Sequence, residues 1–115
     1  MAALAPFDVG QGVVVDRGRV IAVEAAEGTD AMLRRCAELR GSQVKRPSGV
    51  LVKAPKQGQE PRVDLPTIGT GTVEAAADAR LAGIAAQAGA TLVADAPEMA
   101  AAAARRRLFV TGFPG

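Results

Sequence analysis

"GVVVDRGRVIAV", residues 12–23, sets the β-branched run Val13, Val14, Val15 and a second run, Val20, Ile21, Val23, on either side of Asp16-Arg17-Gly18. β-branched side chains suit a pleated strand and a short polar segment ending in Gly is a tight-turn signal, so the stretch predicts a β-hairpin from about Gln11 to Ala25. Outward from it, "GTDAMLRRCAELRG" (28–41) offers Thr29 or Asp30 as an N-cap and places Met32, Leu33, Cys36 and Leu39 at helical spacing, with Gly41 just past the end. One amphipathic helix of about three turns follows. "GVLVKAP" (49–55) is a short apolar strand that Pro55 terminates.

Beyond a loop that runs to Gly69, Thr72 opens a second helix, "TVEAAADARL" (72–81), with Glu74 in its first turn where it suits the helix dipole. "GIAAQAGATLVAD" (83–95) has Gly89 between two short runs and reads as strand, turn and strand, against a competing continuous helix through Gln87. "APEMAAAAARRR" (96–107) is a third helix, with Pro97 in a tolerated first-turn position and three Arg complementing the C-terminal dipole. "LFVTG" (108–112) closes the chain as a buried strand. The expected fold class is α/β: a single domain with a mixed β-sheet, a β-hairpin start and flanking helices.

Composition narrows the function. With 115 residues the chain has room for one core, and a hydrophobic content of 49% is enough to fill it. Three Phe and no Trp or Tyr leave few platforms for stacking bases, and 14 basic against 12 acidic residues make no basic stripe, so nucleic acid is not an expected partner. The absence of His removes His general bases, Ser-His-Asp triads and the usual zinc sites. Acid–base or metal chemistry must therefore rest on carboxylates, Lys or the one thiol. Cys36, alone and inside a helical pattern, is expected as a half-buried structural thiol, and a chain without an intrachain disulfide fits a reducing compartment. No apolar run reaches membrane-spanning length, and the N-terminus lacks the pattern of a signal peptide.

The loop "LVKAPKQGQEPRVDLPTIG" (51–69) is the most informative feature, because ligand sites in open α/β sheets collect where strands end and loops begin. Lys53 and Lys56 can hold phosphate oxygens as point charges, and Arg62 can do so in bidentate fashion. Glu60 and Asp64 are hard oxygen donors of the kind that bind Mg²⁺. The same charges also suit a solvated surface loop. A second cluster, "EAAEGTD" (24–30), sets Glu24, Glu27, Thr29 and Asp30 around a helix start, which fits either an anion site or an ordinary cap.

Taken in order, "DVGQGVVV" (8–15), "AVEAAEGTDAMLRR" (22–35) and "LVKAPKQGQEPRVDLPTIG" (51–69), with "LAGIA" (81–85) and the closing "LFVTG", resemble the LpxI family, the UDP-2,3-diacylglucosamine pyrophosphatases of lipid A biosynthesis. The resemblance covers nearly the whole chain and corresponds to the family's C-terminal domain, so residues 1–115 are expected to be that domain, with the N-terminal domain of the same enzyme as a partner. It implies Mg²⁺-assisted hydrolysis of the substrate's pyrophosphate to UMP and 2,3-diacylglucosamine 1-phosphate. The family's critical aspartate belongs to an R-x-D-L-P element, here Arg62-Val63-Asp64-Leu65-Pro66, which makes Asp64 the expected catalytic residue. Substrate-binding roles then fall to Lys53, Lys56, Arg62, Gln11 and Thr29, and metal-binding roles to Asp64, Glu60, Glu27 and Asp30. The chain departs from the family's K-P-x-Q-D pattern, carrying Gln57 and Glu60 there. A cytoplasmic place, at most peripheral contact with the inner membrane, and a second copy as a further partner complete the expectation. The alternative is a non-enzymatic anion-binding or dimerisation module that keeps the fold without turnover.

Overall fold

The computed structural model describes residues 12–24, 28–40, 44–54, 67–87 and 92–114. The hairpin forms as its sequence predicts: β1 (Gly12–Asp16) pairs antiparallel with β2 (Arg19–Val23). Arg17 and Gly18 both take positive φ, 54° and 77°, the backbone of a two-residue turn whose twist matches the strands it joins. Chain order then runs α1 (Thr29–Arg40), β3 (Val50–Lys53), β4 (Thr67–Ile68), α2 (Thr70–Asp78), β5 (Gly83–Gln87), β6 (Leu92–Val93), α3 (Ala96–Arg105) and β7 (Phe109–Phe113).

Five strands make one mixed sheet in the order β2-β1-β3-β5-β7, in which β3, β5 and β7 are parallel and β1 is antiparallel to its neighbours. Each step from β3 to β5 to β7 moves one way across the sheet, and right-handed crossovers then put every connecting helix on the same side. The helices do lie in one layer, α1 against α2 and α2 against α3. Register aligns Ala22, Val14, Leu51, Ile84 and Val110 in a row beneath them. That row packs into one core with Met32, Leu33, Cys36, Val73, Met99 and their neighbours.

Several expectations are corrected. Leu39 is 65% exposed and Arg40 is buried in its place, so the buried stripe of α1 is Met32, Leu33, Cys36 and Arg40. The carbonyl of Gly28 accepts the first bond of α1 from the Met32 N–H, so Gly28, with φ +91°, occupies the position expected of Thr29 or Asp30. Cys36 is fully buried, not half-buried, and burial pushes its thiol pKa up. Helix α2 starts at Thr70, two residues before the expected Thr72, whose hydroxyl instead accepts the Gly69 N–H across the first turn. The two strands expected within 83–95 form, over the competing helix, while the expected turn at Gly89 lies outside the described residues; β6 pairs in parallel with β4 in a small separate sheet. The closing strand is an edge strand, not a buried one: Leu108 is buried before it, while Phe109 is 47% exposed.

Candidate functional site

Side chains alternate along a strand, so the residue two beyond Leu51 returns to the helix-facing side of the sheet. That residue is Lys53, at the C-terminal end of β3 and only 4% exposed. Parity acts likewise on the other side of β1, where Glu24 follows Ala22 and is 6% exposed. Between them on the same row stands Gly12, which is opposite Lys53 in the register and accepts the Glu24 N–H at 2.8 Å. A Cβ at Gly12 would lie 3.5 Å from Lys53 Cδ and 3.4 Å from Met32 Cε. The missing side chain is the gap through which a lysine on β3 and a glutamate on β2 meet over an intervening strand.

Thr29, the first residue of α1, completes the cluster from above. Lys53 Nζ donates to Thr29 Oγ1 at 2.6 Å, and the Thr29 hydroxyl donates in turn to Glu24 Oε1, which stands 3.9 Å from Lys53 Nζ. Lysine has donors only and an ionised carboxylate acceptors only, so the hydroxyl, being both, is the one group of the three that can relay between them. Burial lowers the Lys53 pKa, and the negative charges of Glu24 and Asp30 pull it back up. A buried ammonium is tolerated because a carboxylate and a hydroxyl surround it.

The cluster lies at the end of the sheet where parallel strands stop and helices begin. α1, α2 and α3 all start there, and their N-terminal dipoles add partial positive charge to the cation. Exposed Asp30 sits one residue beyond Thr29, over a shallow groove between α1 and α2. At the opposite end of the sheet a second buried cation is held by structure through its Nη2, while its buried Nε has no hydrogen-bond partner among the described residues. Arg40 Nη2 bonds the Ser48 carbonyl at 2.8 Å and the Arg80 carbonyl at 3.4 Å and pairs with Asp16 at 3.5 Å, while Ser48 Oγ donates to Asp16 at 2.9 Å.

The comparisons with known proteins match this chain along almost its whole length. The family model for the LpxI C-terminal domain covers residues 1–111. The chain belongs to the LpxI C-terminal domain family. A protein of Caulobacter vibrioides named UDP-2,3-diacylglucosamine pyrophosphatase LpxI is 58% identical over 110 residues, which are 92% of this chain and 39% of that protein. The chain thus spans about two fifths of the length of that curated relative.

Of the site residues expected from sequence, this LpxI domain brings Lys53 and Thr29 into direct contact and sets Asp30 beside them. Gln11, Glu27, Lys56, Glu60, Arg62 and Asp64 lie outside the described residues. Among the described residues no three His, Cys, Asp or Glu side chains come together in a way that would hold a metal. Sequence reasoning missed Glu24 as a partner of Lys53. The signal was present in the alternation: both residues continue an inward-facing strand pattern at the same end of the sheet, flanking a glycine.

Proposed function

We propose that this chain is the C-terminal domain of an enzyme that hydrolyses the pyrophosphate of UDP-2,3-diacylglucosamine, water attacking the α-phosphorus to give UMP and 2,3-diacylglucosamine 1-phosphate. The observation that carries the reading is the 58% identity to a relative bearing that activity in its name. The geometry is compatible with it. A pyrophosphate is polyanionic, and the sheet end that carries Lys53 also carries three helix N-termini. Held by Thr29 and Glu24, the Lys53 ammonium is a fixed charge with donors beyond the one given to Thr29, suited to orient a phosphoryl oxygen. Lys56 and Arg62, from the sequence that follows β3, would add point-charge and bidentate contacts to the same phosphates, and Gln11 a polar one.

Mg²⁺ is part of the proposal. Its support is the chemistry of the donors: Asp30, with Glu27, Glu60 and Asp64, forms an all-carboxylate set, which suits a hard cation that shares substrate phosphates. Such a cation neutralises charge building on the phosphoryl oxygens. Asp64 orients the attacking water or holds the metal. An N-terminal domain of the same enzyme covers the site and completes it. No helix among the described residues is long and apolar enough to cross a membrane. We place the enzyme in the cytoplasm, meeting the inner membrane peripherally through its substrate's acyl chains.

The test is release of UMP from UDP-2,3-diacylglucosamine by the enzyme containing this domain, with Mg²⁺ and with chelator, beside an Asp64→Ala variant checked for folding by circular dichroism. Turnover that survives chelation sinks the metal assignment. Normal turnover in Asp64→Ala removes that residue from the chemistry, and no turnover of this substrate by the intact enzyme removes the function.

A further inference from the structure

Strand β7 has β5 on one side and no strand on the other among the described residues. The Phe109 N–H donates inward to the Ala82 carbonyl at 3.1 Å, so alternation turns the N–H and C=O of Val110 and Gly112 toward the open side. Natural sheets blunt such edges with Lys, Pro, bulges or a covering element. β7 reads Phe-Val-Thr-Gly-Phe, with no Lys, Pro or bulge in it and no covering strand among the described residues, its proline coming only afterwards at Pro114. The other edge, β2, is treated differently: it opens on Arg19, and its pairing with β1 is broken by a register shift at Val14/Val15.

We propose that β7 is the contact through which a second copy of this chain binds, the two strands pairing antiparallel about a twofold axis at Thr111 and joining two five-stranded sheets into one. The outward groups select that register. Centred on Thr111, Val110 of each copy stands opposite Gly112 of the other, and all the outward N–H and C=O groups of both residues are satisfied. Centred on Val110, Gly112 would face Leu108, whose N–H is already given to the Ala103 carbonyl at 2.9 Å. Centred on Gly112, Val110 would face Pro114, which has no N–H.

Side chains favour the same arrangement. On the face away from the helices the Phe109 ring lies back over Gly83 of β5, clear of the open edge, and the two Thr111 side chains face each other across a non-hydrogen-bonded position at the axis. Arg107 is four residues from the axis, so the two Arg107 sit about 27 Å apart at about 3.4 Å per residue, over three Debye lengths at physiological salt. A five-residue strand covers only part of the roughly 800 Å² per partner of a standard interface, so the dimer dissociates at about 1–100 µM.

Sedimentation velocity of the chain from about 0.5 to 500 µM brackets that range. The expected result is a concentration-dependent shift from the 11.7 kDa monomer to a dimer. Thr111→Lys and Thr111→Glu should each hold the chain monomeric, and mixing them should restore a dimer, because the axis sets position 111 against itself. Thr111→Cys should cross-link on mild oxidation, since facing Cα atoms about 4.5 Å apart suit a disulfide. Cys36, fully buried, does not compete. A monomer at the highest concentration, or a dimer that persists in both charged variants, overturns the proposal. If circular dichroism shows a charged variant unfolded, cross-linking at 111 decides alone, and its failure in a folded, dimeric Cys variant rejects the register.

Discussion

Replacing Lys53 by Met tests whether the Glu24–Thr29–Lys53 cluster is held together by charge. Met conserves the length and apolar stem of Lys, so the packing beside Gly12 and Met32 is nearly preserved and the main loss is the ammonium. Glu24, 6% exposed, then keeps its carboxylate without the cation that Lys53 supplied. Breaking a buried pair from one side costs up to about 3–5 kcal/mol, and the burial that lowers the Lys53 pKa already weighs against the ammonium, so that range is a ceiling here. A domain of 115 residues has about 6–17 kcal/mol in total, so even part of that loss is measurable. At about 2.1 cal/mol/K per residue the unfolding entropy of 115 residues is about 0.24 kcal/mol/K, and Tm should fall by at most about 12–21 °C. Because the chain lacks Trp and Tyr, urea unfolding is followed by far-ultraviolet circular dichroism. Glu24→Gln on the Lys53→Met background removes the carboxylate charge that Lys53 had faced and should recover about 2–3 kcal/mol relative to the sum of the single losses. Additive single and double effects, or a Lys53→Met loss under about 1 kcal/mol, would refute the view of this cluster as a coupled ion pair.

The pH dependence follows from the same residue: burial sets the Lys53 pKa below its ordinary 10.5 in the folded chain, so the unfolded chain binds the proton more tightly. Stability should therefore gain from this group as pH rises from its folded value toward 10.5, and the urea midpoint of the parent measured against Lys53→Met should show that gain as a rising difference. Gly12→Ala places a Cβ at ordinary contact, 3.4–3.5 Å from its neighbours, and should be nearly neutral. Gly12→Val fills the gap that Lys53 and Glu24 share and should cost about 1–3 kcal/mol by overpacking, read from the same urea curves. Leu39→Glu, at a site 65% exposed, should change stability by less than about 0.5 kcal/mol, whereas a helix register with Leu39 in the core would make it unfold the chain.

Local signals carried much of the fold because neighbouring residues decide them. The hairpin is written in two β-branched runs around a turn whose Arg17-Gly18 backbone needs positive φ, and β3 ends where Pro55 follows its last residues. The errors share a different cause. Leu39 looked like a core residue because helical spacing identifies a stripe but not its edge, and the edge was taken by Arg40, whose burial depends on carbonyls of Ser48 and Arg80 far along the chain. Phe109 looked buried because an apolar strand reads alike at the centre and at the rim of a sheet; strand order, a tertiary property, made it an edge. In the site, Lys53 and Thr29 were legible as chemistry. Their contact, and Glu24 beneath it, were not, since that required knowing that β1 lies between β2 and β3.

The two buried cations explain why one end of the sheet suits a ligand better than the other. Both are inside, and both depend on a carboxylate from the hairpin, Asp16 for Arg40 and Glu24 for Lys53. Arg40 spends its Nη2 on two carbonyls and a carboxylate at the end where the parallel strands begin and the helices finish, so it locks α1 to the loops there and has little charge left to offer. Lys53 stands where the strands finish and the helices begin, with helix dipoles of matching sign and the Thr29 hydroxyl accepting a hydrogen bond from it. An anion approaching Arg40 meets a guanidinium already engaged by Ser48, Arg80 and Asp16; at Lys53 it meets a pair 3.9 Å apart that an incoming oxygen can rearrange. Ligand binding there should consequently tighten a cluster whose ion pair is long without it. That is the physical reason for expecting phosphate chemistry at the end of β3 and structural rigidity at its start.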